Sequence, residues 1–191
     1  MLNIVLFGPP GAGKGTQSDL IVEKFKLIHI STGDLLRAEI SKQTNLGKQA
    51  QDIINKGLLM PDSIMIDMIQ NKITEHIGCK GFIFDGFPRT TVQAEALDSL
   101  LRQNNMEIST MISLEVDTPI IVERILKRGA ISGRSDDKNE TIILQRISEY
   151  NHKTAPVKEF YKKCNKLTEI QGVGTIQEIF SKIEKVCSTF V

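Results

Sequence analysis

Between Ile4 and Thr16 the chain reads IVLFGPPGAGKGT, an apolar run that breaks into glycines, reaches a lysine and opens a helix. Gly8, Gly11 and Gly13 allow left-handed backbone conformations that residues with a Cβ resist, so successive N–H groups can curl around an anion. Lys14 adds a full positive charge. Residues Lys14 to Phe25 contain no proline, and Leu20, Ile21, Val22 and Phe25 fit one side of a helix whose positive N-terminus would face the same anion. Gly8, four residues, Gly13 and Lys14 satisfy the first part of the P-loop pattern, but position 15 is glycine and the hydroxyl arrives one residue late, at Thr16. The chemistry expected of this stretch is phosphate binding.

Two further groups suit the same chemistry. In GFIFDGFPRTTVQ, Asp85 ends an apolar run, the Walker B arrangement in which a carboxylate beside the phosphate loop orients the water shell of Mg²⁺. After Pro119, Arg124 and Arg128 fall at i and i+4 on one helix face; the turn RGAISGRSDD brings Arg134, and a helix from Asn139 onward brings Arg146. Four arginines bracketing one glycine-containing loop predict a mobile anion clamp rather than a solvated helix face.

The elements that must position these residues follow from the apolar pattern. Short apolar runs at Asn3 to Phe7, Leu27 to Ile30, Gly81 to Phe84, Thr110 to Val116 and Lys166 to Ile170 alternate with helical segments. This predicts an α/β three-layer sandwich of the P-loop kind, a five-stranded parallel sheet flanked by helices, with ligands gathered at the carboxyl ends of the strands. About fifty residues separate the second and third runs, more than one crossover helix needs, so an inserted helical lobe is expected there. Its first helix is capped by Ser31, Thr32 or Asp34, its second covers Leu46 to Lys56, and Pro61 and Asp62 start a third. The glycine turn IQGVGT precedes a last helix, Ile176 to Val186.

The 191 residues suit a single domain, and 24 Lys+Arg against 23 Asp+Glu leave a net charge of +1, so neither a nucleic-acid nor a membrane surface is expected. The first apolar run lacks a preceding cationic region and is too short to span a bilayer, which reads as a cytoplasmic protein. Cys79, Cys164 and Cys187 lack metal-like spacing and read as free thiols. His29, His76 and His152 have no evident metal or nucleophile partner.

GPPGAGKGT, STGDLLR, DGFPRT and RGAISGRSDD, in this order and spacing, resemble the adenylate kinases, within the nucleoside monophosphate kinases, and the resemblance runs from the first strand to the last helix. It implies that Gly11, Ala12, Gly13, Lys14, Gly15 and Thr16 hold the ATP phosphates, with Arg124 and the backbone of Gly174 on the ATP side. Thr32, Arg37, Gly57, Leu58, Leu59, Gly86, Arg89 and Gln93 match the AMP contacts, with Arg89 on the phosphate and Gln93 on adenine. Arg128, Arg134 and Arg146 match the arginines that close over the phosphates, Arg134 and Arg146 reaching the AMP side as well. Mg²⁺ would be held through water by Asp85 and Thr16. The implied division is a core of residues 1–30, 61–128 and 138–191, an AMP-binding insertion at 31–60 and a short lid at 129–137 that lacks the cysteine cluster of zinc-binding relatives. A monomer is implied, acting reversibly on ATP and AMP to give two ADP.

Two rivals remain at this level. UMP/CMP kinases share the fold and arginines, but typically carry Ala where Thr32 stands and Asn where Gln93 stands. A P-loop switch would need a partner surface and a water-positioning residue, and neither is identifiable.

Overall fold

The computed structural model describes residues Met1–Val191. Five strands, β1 (Ile4–Phe7), β2 (Ile28–Ser31), β3 (Phe82–Asp85), β4 (Thr110–Glu115) and β5 (Leu167–Gln171), form one parallel sheet in the order β2-β3-β1-β4-β5. β1 is central, with Val5 opposite Phe84 of β3 on one side and Met111 of β4 on the other. The expected runs match these strands to within a residue or so at each end.

Strand alternation sends successive side chains to opposite faces. Ile4 and Leu6 join Ile83, Ile112 and Leu114 in a layer closed by α1 (Lys14–Phe25) and α9 (Ile176–Cys187) through Ile21, Ile179 and Ile183. Val5 and Phe7 join Phe82, Phe84 and Met111 in the opposite layer, closed by α4 (Asp62–Glu75), α5 (Thr91–Gln103) and α8 (Val157–Lys163). Each fully buried aliphatic or aromatic side chain contributes about 1.5–3 kcal/mol relative to exposure, and β1 is buried at all four positions. At its start, Asn3 fixes the strand between its neighbours: its Nδ2 donates to Glu107 O at 2.8 Å and its Oδ1 accepts from Phe82 N at 3.1 Å.

The inserted lobe consists of α2 (Thr32–Ser41) and α3 (Asn45–Asn55). Ser31 caps α2 by accepting from Asp34 N, and Thr44 caps α3 by accepting from Gly47 N. The two helices nearly touch: a Cβ on Gly47 would lie 2.1 Å from Glu39 O. The chain then returns through α4 to the core.

The expected lid loop at 129–137 differs. α6 (Thr118–Ser132) runs through its first four residues, Gly133 at φ 69° stops the helix, and a 3-10 turn covers Ser135–Asp137 before α7 (Glu140–Glu149). Gly129 is helical and buried; a Cβ there would lie 2.6 Å from Asp137 O, so this glycine serves close packing and not a turn. A π-helical segment, Tyr150–Thr154, follows α7 and was not expected. The three cysteines are unpaired.

Candidate active site

The glycine loop leaves the carboxyl end of β1 and delivers its last residue, Gly13 at φ 94°, as the cap of α1. A Cβ on Gly11, at φ 79°, would lie 2.8 Å from the Ile125 side chain, so the loop rests directly on α6. Lys14 is only partly covered, but its ammonium turns inward and donates to Gly8 O at 2.8 Å and Pro9 O at 3.0 Å. Burial lowers its pKa to about 8; Asp85 opposes that shift, while Arg89, Arg128 and Arg146 reinforce it.

A second constellation forms where α2 and the β3 exit meet. Thr32 Oγ1 donates to Gly86 O at 2.8 Å, and Gly86 adopts φ 76°. Arg89 Nε donates to the same carbonyl at 2.7 Å. Burial and the Arg146 guanidinium hold the Arg89 pKa below its usual value, against the opposing effect of Asp85 and Asp136. The Gln93 amide is locked: Oε1 accepts from Arg89 N at 2.7 Å and Nε2 donates to Asp62 Oδ1 at 2.7 Å. Arg37 pairs with Asp34, whose pKa falls because that pairing outweighs the effect of burial.

Two arginines flanking the lid are fixed by carboxylates. Arg128 grips Asp137 in bidentate fashion, Nε to Oδ2 at 2.7 Å and Nη2 to Oδ1 at 3.0 Å. Arg146 Nη1 donates to the same Asp137 Oδ1 at 2.7 Å and pairs with Asp136 at 3.0 Å. Asp137 is 0% exposed; burial would raise its pKa, but the two guanidiniums hold it below the usual carboxylate range. Arg124 Nη1 donates to Gly172 O at 2.9 Å, joining α6 to the turn after β5. Asp137 has no role in the sequence reading, and Asp62 appears there only as a helix start. The first lies inside the quoted RGAISGRSDD segment, yet an Asp among arginines reads as surface compensation until the fold buries it.

All of these residues line, or directly brace, one cavity of about 770 Å³. Every position expected to bind ATP or AMP is on its wall, together with Asp85, and so are Gln17, Asp34 and Asp136. Seven cationic side chains, Lys14, Arg37, Arg89, Arg124, Arg128, Arg134 and Arg146, face four carboxylates, Asp34, Asp85, Asp136 and Glu149, so the cavity is built for a polyanion. The lobe and the lid meet across it: Ser135 Oγ donates to Asn55 Oδ1 at 2.8 Å, and a Cβ on Gly57 would lie 3.1 Å from both Ile142 O and Arg146 Cγ.

Residues 6–166 match the family model described as adenylate kinase. The chain belongs to the adenylate kinase family. Curated relatives carry the same name along almost the whole length. A Bacteroides fragilis adenylate kinase is 50% identical over 189 residues, covering 99% of this chain and 100% of the relative. Adenylate kinases of Flavobacterium psychrophilum and Parabacteroides distasonis are each 48% identical, covering 97% of this chain and 98% and 97% of their own. The family activity is phosphotransfer, the reversible passage of a phosphoryl group between ATP and AMP.

Proposed function

We propose that ATP lies with its phosphates on Gly11 to Thr16 and its base toward Arg124 and Gly174, and that AMP lies with its phosphate on Arg37 and Arg89 and its base against Thr32, Gly57 to Leu59, Gly86 and Gln93. The observation that carries this reading is the opening of two separate anion-binding constellations, Lys14 with its loop and Arg89 with Arg37, into one cavity. The locked Gln93 amide retains one N–H and one lone pair, side by side, for a base edge, and its orientation cannot reverse without breaking the bonds to Asp62 and Arg89. A fixed donor–acceptor pair favours adenine over bases with the opposite pattern.

The AMP phosphate is already anionic at neutral pH, so it attacks the γ-phosphorus of ATP without giving a proton to the protein. Catalysis is then alignment plus stabilisation of charge on the transferring group, a role for Lys14, Arg89, Arg128, Arg134 and Arg146. Asp136 and Asp137 hold Arg128 and Arg146 in place beforehand, so little reorganisation is needed at the moment of transfer. Because water would be an equally willing acceptor, residues 31–60 and the region 129–137 act as a lobe and a lid whose meeting excludes it.

The donor set suits Mg²⁺. Asp85 ends β3 beside Lys14 and keeps its carboxylate ionised: burial would raise its pKa, but His29, 3.8 Å away, and Lys14 bring it below the usual value. Asp85 and the Thr16 hydroxyl are hard oxygen ligands that would hold the ion through water, the phosphates completing its shell. When bound, Mg²⁺ neutralises charge on the β- and γ-phosphates. The enzyme is proposed to act as a cytoplasmic monomer on small molecules alone, a reading supported by near-neutral charge and free thiols.

The test is ADP formation with Mg²⁺ and ATP when AMP, CMP, UMP and GMP are offered singly beside a no-acceptor control. ADP formed mainly with AMP is expected. Preference for CMP or UMP would move the acceptor site to pyrimidines, and acceptor-independent hydrolysis alone would remove the acceptor site altogether.

A further inference from the structure

Gln93 is the third residue of α5, is 2% exposed and forms part of the cavity wall. Thr90 fixes its backbone by accepting from Gln93 N at 3.2 Å. The side chain alone selects no base. An amide carries an N–H and a lone pair side by side, and a half-turn about its last bond exchanges them, so a free glutamine reads a base edge in either order. Selection therefore lies in whatever holds the amide. Two groups do so here: the Arg89 N–H, which can only donate, bonds to Oε1, and the Asp62 carboxylate accepts from Nε2, each at 2.7 Å.

Asp62 opens α4, a position where a carboxylate ordinarily serves the positive end of its own helix. Here its side chain reaches across to a residue 31 positions later. It is not among the residues that wall the cavity, so it holds Gln93 from behind without meeting a ligand. We propose that Asp62 is a positioning residue for acceptor-base selection, fixing Gln93 so that its free lone pair and N–H match the 6-amino group and N1 of a 6-aminopurine. This rests on the reading above that sets the acceptor base against Gln93. A 6-oxopurine offers the same two partners in reverse order, a carbonyl oxygen at position 6 and an N–H at position 1. To meet them the amide must turn over, setting Oε1 against the Asp62 carboxylate and its NH₂ against the Arg89 N–H. The hold extends beyond the base contact: Arg89 Nε and Thr32 Oγ1 both donate to Gly86 O, so one continuous set of bonds runs from α4 through Gln93 and Arg89 to the first residue of α2.

The experiment measures kcat/KM for AMP and for inosine monophosphate at saturating ATP, in the wild type, Asp62→Ala and Asp62→Asn. The wild-type enzyme should favour AMP by roughly a hundredfold or more, as a site built around a fixed hydrogen-bond pattern does. Asp62→Ala removes the restraint and should shrink that preference about tenfold, the worth of one charge-assisted hydrogen bond. The change should come from a fall for AMP with little change for inosine monophosphate, and KM for ATP should stay unaltered. Asp62→Asn keeps the shape but can present either an oxygen or an NH₂ to the Gln93 amide, so its preference should lie between the other two. Equal falls for the two acceptors, or a preference that neither variant changes, would overturn the proposal, reducing Asp62 to a tie between α4 and α5. So would a wild-type enzyme indifferent to the two purines, a result that needs no folded variant. Transfer to neither purine would overturn the acceptor reading along with the proposal, and is thereby told apart from a failure of Asp62 alone.

Discussion

Lys14 shows how a single side chain can link burial to pH. With its pKa lowered to about 8 by burial, the ammonium is charged below that pH and neutral above it. kcat/KM for ATP, which reports the free enzyme, should therefore fall as pH rises through about 8, while kcat should hold to higher pH because bound phosphates restore the charge. A pH–rate series over this range, with Lys14→Met lacking the limb, checks it. The stability consequence has the opposite slope. The unfolded chain, with an ordinary lysine at 10.5, binds more protons than the folded one between about 8 and 10.5, so this group's contribution to stability rises with pH across that window. A second residue-scale prediction concerns Asp137. Asp137→Asn should cost about 1–3 kcal/mol in unfolding free energy, because two guanidiniums lose the charge they share. It should also lower kcat more than it raises either KM, since Arg128 and Arg146 lose their alignment; thermal melts and steady-state kinetics would measure both. The wild-type contribution is present at neutral pH and is lost as acid titrates Asp137 through its depressed folded pKa.

Among the elements, the inserted lobe holds a glycine packed directly against a neighbouring helix. Since a Cβ at position 47 would lie 2.1 Å from Glu39 O, Gly47→Ala must push α2 and α3 apart, a strain of about 1–3 kcal/mol. KM for AMP should rise with little change in KM for ATP, because the donor loop rests on α6 and not on the lobe; separate titrations of the two substrates would show the split. The same scale explains how legible the chain was. Continuous apolar runs such as FIF and MISLEV marked strands buried on both faces, and the glycine loop and Asp85 stood at strand ends where a parallel sheet puts its ligands. Gly129 misled the reading of the lid because sequence does not distinguish a glycine that turns the chain from one that lets another segment approach. Only Gly133, with positive φ, ends the helix. Asp62 reads from the sequence only as a helix start, because its hold on the Gln93 amide joins residues far apart in the chain.

For the molecule as a whole, the cavity spans the core, the lobe and the lid, so a ligand that fills it end to end must favour the state in which all three meet. Two adenosines joined by five phosphates should raise the melting temperature well beyond ATP or AMP alone at equal concentration. At 100 times its dissociation constant such a ligand adds about 2.7 kcal/mol, which a thermal-shift series would resolve. The central position of β1 has a further consequence, for synthesis. β1 leaves the ribosome ahead of both its partners, residues 83–85 and 110–113, so its edges are covered only once those later segments have been made. A nascent chain that ends before Thr110 already carries every glycine of the phosphate loop, yet lacks one wall of the strand that aims it. Such a chain should be an unpaired edge in need of shielding rather than a nucleotide-binding protein.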